Sequence, residues 1–435
     1  MGYIFFMFSS LLNQHLTRLN IHYGWVMALL VFLMTIFSSA IGSTPQLIIL
    51  PITQEFGWQI SDITNAIGIM FFTLACLAPF SGALMLNLGV TPVVLIALGL
   101  DIIGLGLCII AFEKWHFLIT IGVFLGAASG IIGLGLAATI ASRWFLKRRG
   151  LVVGILTAAF AAGQLLFVPL MAWITTVLDW RYALLIPITG ALISSILFLF
   201  FGRNWPADLK LAPLGGTILI KPPQKTGNNA VIVSFQVLRS AISQPSFWIL
   251  LGTFFICGLS STGIVGQHFI AFCADNNVGI IAASSYLAIM GVFNFMGTIG
   301  SGWLSDRYDN YKLLMWFYGL RALSLIYLPF SGFEFLTLLL WAIFFGLDFI
   351  ATVPPTVKLT SKYFGVINGP VLFGWIFAAH QMGSALAASS AGWSRDTILS
   401  YTPSFVAAGF LSMLAVFLII IFRKLEPSEI ETNPI

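Results

Sequence analysis

Apolar runs of about twenty residues recur along this chain, and each is long enough for an α-helix to cross a hydrocarbon layer of about 30 Å. They fall at 25–47, 63–85, 92–112, 117–140, 151–177, 182–201, 246–272, 280–303, 313–330, 335–354, 368–391 and 405–422. Backbone N–H and C=O groups in lipid must find partners inside their own segment, so runs of this length read as helices. The rest of the composition agrees. Charged residues make up 8% of the 435 positions, against about 25% in an average soluble domain. Twenty basic and fifteen acidic side chains cannot give a chain of this size a water-facing surface. The reading is an all-α membrane protein of twelve transmembrane helices.

The net charge of +5 would suggest a nucleic-acid partner in a soluble protein. Here the basic residues sit in short loops between apolar runs, so no nucleic acid is expected. With the N-terminus inside, sixteen Lys and Arg fall on the cytoplasmic side and Lys114, Arg181 and Arg395 outside, while Arg321 lies within a run. That asymmetry places both termini in the cytoplasm of a multi-pass inner-membrane protein. Residues 1–22 start apolar with no basic region ahead of them and no small-residue cleavage site, so they read as an interfacial segment, not a removable signal. The cysteines Cys76, Cys108, Cys257 and Cys273 are far apart, with no metal-ligand or redox spacing. They read as small buried hydrophobes. No metal and no cofactor is expected.

The longest polar stretch, 202–245, holds Pro206, Pro213, Pro222 and Pro223. It divides the chain into a six-helix half at 23–201 and another at 246–422, with a tail at 423–435. The halves echo each other. Gly82 and Leu84 return as Gly302 and Leu304, and Gly154 and Gly163 return as Gly374 and Gly383, all at an offset of 220. Arg143-Trp144-Phe145 returns at 219 as Lys362-Tyr363-Phe364. Marks shared at one offset are what a duplicated unit leaves behind.

The run Gly302-Trp303-Leu304-Ser305-Asp306-Arg307 resembles the signature loop of the major facilitator superfamily. Tyr23-Gly24-Trp25, Glu55-Phe56-Gly57-Trp58, Arg148-Arg149-Gly150 and Asp179-Trp180-Arg181 are similar to the branch that holds monocarboxylate porters and oxalate–formate antiporters. The resemblance implies two pseudo-symmetric six-helix bundles and a carrier. It also implies a conformational latch at Gly302, Asp306 and Arg307. Leu86-Asn87 replace the charged pair in the first half, so no latch is carried over there. Helices one, four, seven and ten would line the cavity, with two, five, eight and eleven beside them. Helix eight has no Arg or Lys and helix four has Gly122 where proton-coupled relatives carry Arg. The first departure disfavours a dianionic cargo, and the second leaves the coupling ion open.

A charge at mid-bilayer costs about 2.5–3.5 kcal/mol on insertion scales, so each ionisable residue within a run needs a partner or a wet cavity. Asp348 and His380 fall on cavity-side helices and are candidates to meet cargo or a coupling proton, with an Asp348–Arg321 ion pair and a neutral His380 hydrogen bond as the structural alternatives. The pKa of His, about 6.5, makes His380 the first choice for the proton and Asp348 the second. Gln381, Gln164, His268 and Asn294 are further candidates for the pathway, and Asp101 and Arg321 are buried ionic candidates. The glycine-rich run 126–135 reads as a helix-packing face.

No phosphate-loop motif supplies ATP hydrolysis, and no metalloprotease or nucleophile motif marks an enzyme. The expectation is a secondary active transporter working as a monomer in the lipid bilayer. It would move a monocarboxylate or zwitterionic metabolite, coupled to a proton or to exchange. Efflux of amphiphilic drugs or siderophore-like compounds is the alternative, and a receptor without transport is the alternative of another class.

Overall fold

A computed structural model describes residues 2–132, 135–219 and 230–425. Twelve helices in it are long and apolar enough to span a membrane. In chain order these spans are Gly24–Phe56, Ile60–Asn87, Val90–Ile109, Lys114–Trp144, Leu151–Val177, Trp180–Phe201, Pro245–Asp275, Ile280–Ser305, Asn310–Phe330, Phe335–Gly365, Asn368–Ile398 and Thr402–Arg423. They form two six-helix bundles. A helix at Gly2–Arg18 precedes them and packs beside span six, with Phe8 edge-on to Phe200 at 5.3 Å. A second helix outside the spans, Ala230–Ala241, lies in the connecting stretch. The connector positions Lys221 and Lys225, and the tail beyond Leu425, fall outside the described residues.

The internal repeat seen in the sequence recurs in the packing. Gly126 of span four faces the main chain of span two so closely that a methyl there would come within 2.6 Å of Met70 O. Gly346 of span ten meets Met290 O of span eight in the same way, at 2.7 Å. Both residue pairs are related by the offset of 220. Small residues let membrane helices approach where lipid supplies no hydrophobic drive for them to associate. In the described part of the glycine-rich run of span four, Gly126 and Gly130 form a packing face, with Gly130 seated against Leu74 and Leu77, while 133 and 134 lie outside the described residues.

The bundles meet along spans two and eleven and along spans five and eight. At the end away from the termini they share one apolar core. Leu47, Phe167 and Met171 of the first bundle pack there with Val265, Phe269 and Tyr286 of the second. At that end the main-chain N–H groups of Ile60 and Ser61, which open span two, donate to the carboxylate of Asp396 in span eleven at 3.0 and 2.7 Å. This satisfies orphan donors of a helix start and joins the bundles. Toward the termini each bundle has its own core. The contact between them there includes Phe80 of span two, Trp375 of span eleven and Phe235 of the connector helix.

Candidate functional site

The site begins with a broken helix. Span ten was expected to end at Pro354, but it continues to Gly365 through a non-helical turn at 349–352. The cause is Pro354-Pro355. Neither has an N–H, so the carbonyls of Ile350 and Ala351 lose their usual helical donors. Ile350 O takes the N–H of Val353 instead, and Ala351 O takes the hydroxyl of Ser301 at 2.5 Å. A break at membrane depth is stable only where other groups satisfy the freed backbone.

Arg321 of span nine completes that satisfaction. One guanidinium NH2 group donates to Asp348 O at 2.7 Å and to Phe349 O at 3.2 Å, at the end of the upper limb of span ten. A cation belongs at a helix C-terminus because the carbonyl ends carry partial negative charge. Its Nε donates to Asp348 Oδ2 at 2.6 Å. Its other NH2 group donates to Cys257 Sγ of span seven at 3.0 Å. The Arg321 side chain is 0% exposed and that of Asp348 8%. Tyr318, one turn before Arg321, anchors on Thr253 O at 2.7 Å.

Cys257 is thus not a plain hydrophobe. Its sulfur also lies 3.1 Å from Thr352 Oγ1, in the break. Two residues later span seven widens into a π-helical stretch, Leu259–Val265, a distortion that often marks functional sites in helices. The other carboxylate oxygen, Asp348 Oδ1, is buried without a hydrogen-bond partner. His380 of span eleven neighbours this cluster. It interacts with Cys257 and stands among Phe254 and Phe377, with ring centroids 4.8 and 5.8 Å away. Its Nδ1 has no partner. Gly258 abuts the His380 carbonyl with no room for a side chain.

The structure therefore brings Asp348, Arg321 and His380 into one neighbourhood and leaves other candidates apart from it. His268 pins span seven to span eleven through Nε2 to Ala388 O, at 2.9 Å, and packs on Tyr401. Gln164 lies on Gly291 at the seam of spans five and eight. Asn294 accepts from Thr298 of its own helix at 3.3 Å. Gln381 is buried with Oε1 unpartnered. Asp101 is buried in span three with Oδ1 unpartnered, and it carries no ion pair among the described residues.

The expected latch takes a different form. Asp306 pairs with Lys358 of span ten, whose ammonium also reaches Ser305 O at 3.1 Å. The Lys358 hydrogen bond is the main reason the Asp306 carboxyl sits below the usual range. Arg307 instead lies over the Trp303 ring, 4.1 Å from its centroid. No atom stands within 4 Å of where a Gly302 side chain would begin. In the first bundle Arg143 of span four reaches Met85 O, the 220-offset counterpart of Ser305 O, at 3.3 Å. It also bonds Asn204 O and lies 4.2 Å over the Trp205 ring. A cation on a helix C-terminus thus persists in a half whose charged pair is missing. Sequence reading missed Arg143, Lys358, Asp396 and Cys257. For Arg143 the basic residue at the end of span four was the available signal. For Cys257 there was none.

At the far end Glu55 and Arg181 form a two-pronged pair at 2.7 and 2.9 Å, and Asp275 and Arg395 form another at 2.5 and 3.0 Å. Glu55 and Asp275 are again 220 apart.

Comparison with known proteins gives the arrangement its context. The family profile of the Major Facilitator Superfamily matches residues 27–369. The chain is similar to Monocarboxylate transporter 13 of Rattus norvegicus, 26% identical over 336 residues that cover 76% of this chain and 73% of that protein. It is similar to Monocarboxylate transporter 12-B of Danio rerio, 22% identical over 428 residues that cover 92% and 88%. It is also similar to the Oxalate:formate antiporter of Oxalobacter formigenes, 24% identical over 297 residues that cover 65% of each chain.

Proposed function

Because this chain belongs to the Major Facilitator Superfamily, whose members are carriers and not enzymes, we propose that it is a secondary active transporter that moves a small monocarboxylate together with a proton. It works as a monomer in the plasma membrane with both termini inside, the orientation supported by the distribution of Lys and Arg. The two bundles rock about a site at mid-membrane. The shared apolar core at the end away from the termini supports this as the cytoplasm-facing state.

The observation that carries the reading is Arg321 and its paired carboxylate at the break of span ten. The other basic residues in the described parts of the spans stand near span ends, apart from Lys358 in the lower limb of span ten. A buried guanidinium tolerates one anionic partner. Two would leave a net negative charge in a medium of low dielectric constant, at a cost of several kcal/mol. A monoanionic cargo can take the place of Asp348 at Arg321 when Asp348 accepts a proton, because the charge of the cluster is then unchanged. A dianion cannot do so. This balance makes Asp348 the proton carrier ahead of His380, which packs beside the cluster among Phe254 and Phe377. The printed names of the two monocarboxylate transporters support the same cargo class, while that of the oxalate:formate antiporter includes a dianion.

The test is uptake of radiolabelled 2-oxo, 2-hydroxy and short-chain monocarboxylates into proteoliposomes, with and without an inward proton gradient. Accumulation driven by the gradient, with a proton taken up per anion, is expected. Uptake that is indifferent to the gradient and to monocarboxylates, or flux of amphiphilic compounds instead, overturns the reading.

A further inference from the structure

Beside the start of span one lies a crevice of ≈ 350 Å³ lined by Asn20, Ile21, His22, Trp25, Lys147, Arg148, Leu214 and Gly215. Its walls are fixed by main-chain bonds. Leu214 of the connector donates to Trp144 O at 2.8 Å and accepts from the N–H groups of Leu146 and Lys147 at 2.9 and 3.1 Å. His22 is fully used. Nδ1 accepts from Gly24 N at 3.0 Å and Nε2 donates to Ala212 O at 2.9 Å. This leaves neither ring nitrogen free and makes the ring a wall, not a ligand. Gly215 has φ +85, and the stem of Lys147 fills the space that a Cβ would need. The glycine thus lets the lysine stem lie along the connector at the crevice.

Lys147 and Arg148 are exposed, and neither has an ion-pair partner among the described residues. No carboxylate lines the crevice. Arg148 holds φ +68, a conformation costly for a residue with a side chain, at the cap of span five. Spans one and five both begin at this crevice, so their positive ends add to the two cations. Trp25, in the first turn of span one, has the amphipathic ring found at headgroup depth. Two unpaired cations, a donor amide, an aromatic belt residue and an ordered cavity make a receptor for an anion at the membrane surface.

We propose that this crevice binds a phosphate group, that of an anionic lipid headgroup, and that the bound phosphate ties the connector to the first bundle. The site shares no residue with the Arg321 cluster and stands whatever the cargo is. Two basic groups at a membrane surface favour an anionic headgroup by about 30-fold over a zwitterionic one.

The test uses delipidated full-length protein in nanodiscs of phosphatidylcholine doped with phosphatidylglycerol, with lipid retention read by native mass spectrometry. Wild type should retain phosphatidylglycerol over phosphatidylcholine by about 30-fold at low salt, falling as salt screens the cations. The double variant Lys147→Gln/Arg148→Gly should lose the preference. Gly relieves the positive φ at 148, so that change keeps the backbone, and an unchanged melting temperature in pure phosphatidylcholine verifies the fold. A second arm adds soluble inorganic phosphate. Displacement of the lipid shows that the site reads phosphate from either source, and no displacement assigns it to the headgroup. Equal retention of both lipids by wild type, or an undiminished preference in the variant, overturns the proposal.

Discussion

The two bundles share a frame and differ in their chemistry. Gly126 and Gly346 hold the same close approach, Glu55 and Asp275 hold the same end, and Met85 O and Ser305 O receive the same kind of cation. At mid-membrane the likeness stops. Arg321 corresponds to Asp101, Asp348 to Ala128 and Cys257 to Phe37 at the offset of 220. The second bundle thus carries an ion-paired cluster where the first carries one buried carboxylate without an ion pair among the described residues. Helix packing tolerates few changes because interlocked glycines admit no side chain, whereas the interior polar groups can diverge in one half alone. The difference teaches that, among the described residues, the ion-paired polar chemistry of the membrane interior lies in the second bundle.

The largest effect that would break this contrast is at Arg321. Arg321→Gln leaves Asp348 uncompensated and takes one of its two donors from Asp348 O and the guanidinium from Phe349 O, so a loss of about 3–5 kcal/mol is expected. Thermal unfolding in nanodiscs reads this, and Asp348→Asn added to Arg321→Gln should recover part of it. If Arg321→Gln melts like wild type, the cluster does not hold span ten.

Asp348→Asn alone sharpens the functional side. It should abolish gradient-driven accumulation while exchange of labelled for unlabelled cargo survives, since exchange needs no net proton movement. His380→Gln should keep accumulation with a modest loss of rate. If His380→Gln instead removes the pH dependence and Asp348→Asn does not, the proton belongs to the imidazole.

At the terminus end, Arg143→Ala should cost about 2 kcal/mol, because the guanidinium is buried against both a carbonyl and a ring. Lys358→Ala should cost less than about 1 kcal/mol, as expected for an exposed pair. Equal losses would show that the two latches have not diverged.

The smallest expected effect is at Asp101. Asp101→Asn should leave stability within about 1 kcal/mol and leave the pH profile of uptake unchanged, since no partner is lost. A collapse of uptake would place working chemistry in the first bundle as well. The pH response of Asp306 has a definite sign. Its folded pKa is depressed, so the bond to Lys358 is complete above the ordinary carboxylate pKa of about 3.9 and is lost only as pH falls through the depressed value. Titrating Asp306 by NMR should show no change between pH 5 and pH 8.

The sequence exposed the spans because hydrocarbon thickness sets their length, and the repeat because glycine contacts keep their offset. It also exposed Asp348, Arg321 and His380, since ionisable residues inside apolar runs are rare enough to stand out. Which partner each takes depends on how helices rotate about their axes, and near-uniform hydrophobicity hides that. Asp348 therefore left an ion pair and a cargo contact equally open. The Arg321 bonds to main-chain carbonyls were hidden for another reason. They form where the helix breaks at 349–352, ahead of Pro354-Pro355, and the expected span simply stopped there.

The lower limb of span ten is a connecting rod between two joints. One joint is the turn at 349–352, and the other is Gly365, whose φ of 77° needs a residue without a side chain. The rod carries Lys358 at the mouth of the second bundle, and its upper joint is clamped by the guanidinium that also balances Asp348. The guanidinium of Arg321 therefore holds one joint of a short helix that ends at Gly365 and carries Lys358 between the two. A change of partner at mid-membrane would meet the terminus end through one short helix, without passing through the packed glycine contacts of Gly126 and Gly346.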